Sequence, residues 1–136
     1  MKEIDKSRSL KLMLGLLATV MIFHILVIVQ IIPYEIVWAG KLQSIDDMYA
    51  FESMSILVNS FLITVLLLKG NFFKHRIPGK YINGIIWFFI CLFALNTIGN
   101  LFAKTIFEKV VFTPLTLISV FLLWDIVRVK SDKTTS

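Results

Sequence analysis

Apolar residues run along this chain in four blocks, each ended by a proline, a glycine or a short charged stretch. The blocks cover roughly residues 10–32, 45–68, 82–103 and 106–130. A bilayer core about 30 Å thick takes about 20 apolar residues as a helix, and a single span must be helical because only a helix satisfies its own backbone polar groups. Each block therefore predicts a transmembrane helix. Pro33 is expected to end the first span. Ser44-Ile45-Asp46-Asp47 has the spacing of a capping box, with two carboxylates at the positive end of the second helix. Thr105 and Glu108 repeat that spacing before the fourth span. Pro114, inside the fourth block, predicts a kink at Thr113-Pro114 that frees the carbonyl of Val110. The alternative is a helix that starts at Pro114 with Thr113 as its cap.

The first block is longer than a signal-peptide core of roughly 7–15 residues and lacks a small-x-small cleavage site, so it reads as a span that is retained. The connections are short, and no internal repeat relates the first two spans to the last two. The expected fold is an all-α integral membrane protein: one membrane domain over residues 1–136, built as a compact antiparallel bundle of four transmembrane helices. Gly99 and Ala103 form a small-xxx-small pair that would let the third span approach a neighbour, or a second copy of the chain, closely.

Charge sets the expected orientation. Lys2, Lys6, Arg8 and Lys11 precede the first span. Lys69, Lys74, Arg76 and Lys80 lie between the second and third, and Arg128, Lys130 and Lys133 end the chain. Only Lys41, Lys104 and Lys109 lie on the other side. Cytoplasmic loops carry the excess of Lys and Arg, so both termini and the middle loop are expected in the cytoplasm and the chain in the plasma membrane. Tyr34, Trp38 and Tyr49 at one interface, with Tyr81 and Trp124 at the other, fit aromatic belts. The formal net charge of +5 does not suggest nucleic acid, because the basic residues sit at span ends and form no patch on a water-facing domain. Membrane lipids are the expected partners, with a homo-oligomer as a further expectation.

Composition excludes several chemistries. The chain is 57% hydrophobic and has a single cysteine, Cys91, so an internal disulfide and two-cysteine redox chemistry are excluded. Cys91 is expected to be a packing residue. The two histidines, His24 and His75, do not form a membrane haem pair, and His75 is expected in solvent. No nucleotide-binding loop, serine-hydrolase motif or paired zinc-ligand histidine motif is present. No metal or cofactor is expected.

The polar residues within the spans are unevenly distributed. The cytoplasmic halves are almost wholly apolar. The other halves hold His24 and Gln30 in the first span, Glu52, Ser53, Ser55 and Asn59 in the second, Asn96, Thr97 and Asn100 in the third, and Glu108, Thr113 and Thr116 in the fourth. At about 100° per residue Glu52, Ser55 and Asn59 share one helix face, as do Asn96 and Asn100. A charged side chain facing lipid is costly, about 2.5–3.5 kcal/mol at mid-span, so these faces should turn inward. The expectation is an outward-facing polar pocket over an apolar plug. Glu52, Asn59, Asn96 and Asn100 would line it, with His24, Glu108, Ser55 and Thr113 around them. It would bind, and in a transport-competent protein carry, a small molecule or ion. The competing expectation is a non-catalytic accessory or assembly subunit whose amides hold the helices together. A lipid- or quinone-directed enzyme using Glu52 or His24 as a base is the third.

Overall fold

The ends of the first two helices are set by hydrogen bonds that spacing alone does not reveal. In the computed structural model, which describes residues 2–36, 42–103 and 105–128 and side chains from Arg8 onward, helix α1 covers Lys2–Ile28. Gln30 takes a left-handed φ of 66°. Its N–H donates to the Val27 carbonyl at 3.0 Å, and that of Ile31 to Leu26 at 2.9 Å, the bond pair of a Schellman motif. The helix therefore stops short of Pro33, where the sequence placed its end. Helix α2, Ile45–Lys69, closes in the same way: Asn71 has φ 60° and donates to Leu68, while Phe72 donates to Leu67. His75, expected in solvent, instead caps this end, with Nε2 donating to the Leu68 carbonyl at 2.9 Å while Nδ1 accepts from the Ile77 N–H.

The predicted cap of α2 is present, since Ser44 Oγ accepts from the Asp47 N–H at 3.1 Å. Asp47 reaches one residue further back than a capping box requires and accepts from the Gln43 N–H. Helix α3 spans Gly79–Leu101 and starts directly after Pro78. Helix α4 spans Thr113–Arg128 and is entered through a π-helical turn, Glu108–Phe112. Thr105 caps that turn, its Oγ1 accepting from the Glu108 N–H at 3.2 Å. The N–H of Thr113 donates to Glu108, a five-residue step. The wider turn relieves the clash between the ring of Pro114 and the carbonyl four residues back, so the chain stays helical from Glu108 to Arg128. Thr113 has helical dihedrals and is not a cap.

Side-chain contacts show how the helices run. Ser9, early in α1, meets Asp125, late in α4. His24, late in α1, meets Glu52, early in α2. Lys69 meets Asn83 between the end of α2 and the start of α3, and Thr97 meets Thr116 between the end of α3 and the start of α4. Each helix is thus antiparallel to the next, and α4 closes the ring on α1. Four helices among the described residues are long and apolar enough to cross a bilayer. Here the end of the bundle holding the start of α1 and the end of α4 is called proximal and the opposite end distal. Lys130, Lys133, Trp38, Lys41 and Lys104, used above for span ends, belts and charge, lie outside the described residues.

The proximal half is the apolar plug. Met13, Leu17, Leu62, Leu66, Ile86 and Leu123 are completely buried there. A smaller cluster of Val27, Leu42 and Met48, flanked by Tyr34 and Ile32, roofs α1 and α2 at the distal end. The outside is apolar as well, with Ile22, Leu57, Phe88, Leu95 and Phe121 all exposed. Such a surface suits hydrocarbon surroundings, where helices associate by close packing and polar bonds instead of by exclusion of water. Cys91 lies on this outer surface and not in the interior. At the proximal rim Arg128 pairs with Asp125 at 2.9 Å and lies over the Trp124 ring. Lys69, with 2% of its surface exposed, donates to Asn83 at 2.6 Å; its place at the end of a basic loop gave no sign of that burial.

Candidate functional site

All four helices contribute to one cavity of about 360 Å³ in the distal half. Its polar wall is the one the helical spacing predicted. Glu52, Ser55 and Asn59 come from the single face of α2, and Asn96 and Asn100 from α3. His24 enters from α1, and Glu108 from the π-helical turn. Thr116 lines the cavity too. Thr113 does not: its hydroxyl is buried without a hydrogen-bond partner among the described residues. Gln30 lies beyond the helix end and reaches the Tyr49 hydroxyl, and Ser53 is exposed, so neither belongs to the site.

The centre of the polar wall is a pair. Nδ1 of His24 hydrogen-bonds Oε2 of Glu52, whose side chain is fully buried. Glu52 stands two turns into α2, about 10 Å along its axis, and His24 one turn before the end of α1, which brings the groups to one depth. A carboxylate removed from solvent needs a charged or donor partner, and the imidazole supplies it. Glu108 accepts from the Thr105 hydroxyl at 2.9 Å, so its carboxylate is both part of the helix start and part of the cavity wall. Among the described residues no three His, Cys, Asp or Glu side chains come together as a metal-binding group.

The three amides behave differently from membrane glue. Asn59 donates to the Ser55 carbonyl of its own helix at 2.7 Å, and neither Asn96 nor Asn100 makes a side-chain hydrogen bond to another helix among the described residues. The side-chain bonds that join helices among the described residues include His24–Glu52, Lys69–Asn83, Ser9–Asp125 and Thr97–Thr116. In the last of these Thr116 accepts from Thr97 at 2.8 Å and donates to the Phe112 carbonyl.

The apolar wall was not identified from the sequence. Phe23, Phe93, Phe112, Leu16, Val20 and Leu115 face the same space. Phe23 stands edge-on to Phe112 with centroids 5.0 Å apart, and Phe107 packs behind both. Nothing in the sequence separates these rings from phenylalanines that face lipid. Gly99 is the other residue whose role differs from expectation. It lines the cavity, and a Cβ built there would meet nothing within 4 Å, so within the chain it provides space and not a close helix contact. Ala103, its partner in the small-residue pair, is buried.

Comparison with known protein families, with curated proteins and with solved structures finds no match to the chain. The chemistry of the cavity therefore has to carry the functional reading.

Proposed function

We propose that this chain is a plasma-membrane protein whose four helices cross the bilayer, with both termini in the cytoplasm, and whose distal cavity binds a small molecule or ion for transport. The observation that carries this reading is the placement of Asn59, Asn96 and Asn100. Amides kept for packing would bond from helix to helix, whereas these line a cavity and leave the helix joints to other residues. Intramembrane ionisable groups are functional by default, and here His24, Glu52 and Glu108 stand on that same wall. The apolar plug beneath would act as the barrier that a transporter must open on one side at a time. The surplus of Lys and Arg near the termini and the middle loop supports the orientation.

Stability measured beside binding separates this role from that of an accessory subunit. Asn96→Leu with Asn100→Leu is expected to leave thermal unfolding in detergent unchanged or slightly raised while removing ligand retention. A substantial fall in melting temperature with nothing to retain would show that the amides hold the bundle together.

A further inference from the structure

The loop between α2 and α3 joins the two helices at the proximal end of the bundle, far from the cavity. It is pinned at two points. His75 turns inward, donating from Nε2 to the Leu68 carbonyl and accepting the Ile77 N–H at Nδ1. Gly70 is seated against α1, since a Cβ there would stand 2.5 Å from Leu10 and 2.8 Å from Phe72. The remaining long side chains point outward. Phe72, Phe73 and Ile77 are exposed. Lys74 and Arg76, which flank His75 in sequence, are exposed too, and Lys80 follows in the first turn of α3.

These three cations have no acidic partner among the described residues. Lys74 and Arg76 make no hydrogen bond or ion pair there, and Lys80 only lies near the Tyr81 ring, 5.2 Å from its centroid. No Asp or Glu occurs anywhere between Glu52 and Glu108. The chain ends hold Glu3, Asp5, Asp125 and Asp132 but seven Lys and Arg of their own, and Asp125 is paired with Arg128. In a bilayer the exposed Tyr81 and Trp124 place this rim at the headgroup boundary. Exposed aromatic side chains at that depth reach hydrocarbon, while cations beside them meet headgroups. We propose that the α2–α3 loop is a docking site for an acidic phospholipid. Lys74, Arg76 and Lys80 meet the headgroup phosphate, and Phe72, Phe73 and Ile77 enter the acyl region beside it. A soluble anion would satisfy the cations and leave three large apolar side chains in water; a lipid satisfies both. The inference uses no residue of the cavity and needs only that the four helices lie in a bilayer.

The test is native mass spectrometry of the full chain in mild detergent, titrated with phosphatidylglycerol and with phosphatidylcholine of the same acyl chains. Binding of the acidic lipid at least about tenfold tighter is expected, a difference of about 1.4 kcal/mol. Lys74→Gln with Arg76→Gln and Lys80→Gln should bring the two lipids level at an unchanged melting temperature, because all three side chains are exposed. Lys2→Gln with Lys6→Gln and Lys11→Gln removes the same charge from the same end of the bundle and should keep the preference. His75→Ala keeps every Lys and Arg but frees the loop, and should lose much of the preference. His75→Gln, whose amide can still donate to Leu68, should retain it. No preference in the parent would overturn the docking site, and so would an equal loss in the two triple variants, which would make the effect one of diffuse charge. Parent-like preference in His75→Ala would overturn the ordered loop as its basis. Soluble glycerophosphoglycerol competing as well as the whole lipid would overturn the choice of a lipid.

Discussion

Glu52, completely buried in α2, is held by Nδ1 of His24 on α1, and this contact joins the two helices at the depth of the cavity. It acts twice, as the polar joint between the first two helices and as part of the cavity wall. Removing one member of such a pair weakens the compensation of the other, which costs up to about 3–5 kcal/mol, whereas replacing both with apolar residues costs far less. His24→Leu is therefore expected to lower stability by about 3 kcal/mol. His24→Leu with Glu52→Leu should recover most of that loss. A double-mutant cycle by chemical unfolding in detergent checks it, and a double variant no more stable than the single one would mean that the pair is not a joint.

Thr97 and Thr116 make the corresponding joint between α3 and α4, but with neutral hydroxyls. Thr97→Val preserves shape and leaves Thr116 bonded to the Phe112 carbonyl. The expected cost is about 0.6 kcal/mol and no more than about 1.7 kcal/mol, the range for interhelical bonds in membranes. The same unfolding assay should rank it well below His24→Leu.

The π-helical turn is where Pro114 and Glu108 are coupled. Pro114→Ala removes the ring that the widened turn accommodates, so a regular α-turn becomes accessible and stability should be unchanged or higher. Closing the turn is expected to rotate Glu108 away from the cavity. Ligand retention should fall although the bundle is at least as stable, and retention equal to the parent would show that Glu108 needs no such turn.

Orientation has its own check. In a Cys91→Ala background, Gln43→Cys and Lys74→Cys place thiols at exposed positions at opposite ends of the bundle. A membrane-impermeant maleimide added to intact cells should label the first and not the second. The reverse pattern would invert the topology drawn from the Lys and Arg bias.

Much of this organisation was legible in the sequence because the bilayer allows few solutions. An apolar run of about 20 residues predicts a helix on its length alone. The side of α2 that carries Glu52, Ser55 and Asn59 followed from helical periodicity, as did that of α3 carrying Asn96 and Asn100. Relative height and rotation of helices are not written in any one of them, so His24 was a candidate without a partner. Gln30 hid the end of α1, because glycine or asparagine is the usual left-handed residue at a Schellman cap. Gly99 matched a packing motif, and only the neighbouring helices decide whether a small residue makes contact or leaves space. The aromatic wall was illegible for a similar reason: with 12 phenylalanines spread over apolar runs, nothing local distinguishes a cavity ring from a lipid-facing one.

Native mass spectrometry of the protein released from membranes in mild detergent, parent beside Glu52→Gln and Asn100→Leu, tests most directly whether the distal cavity is a binding site. A reproducible bound mass on the parent that both variants lose, with all three equally folded, is the expected result. A guest retained equally by all three, or none on a well-folded parent, would contradict it.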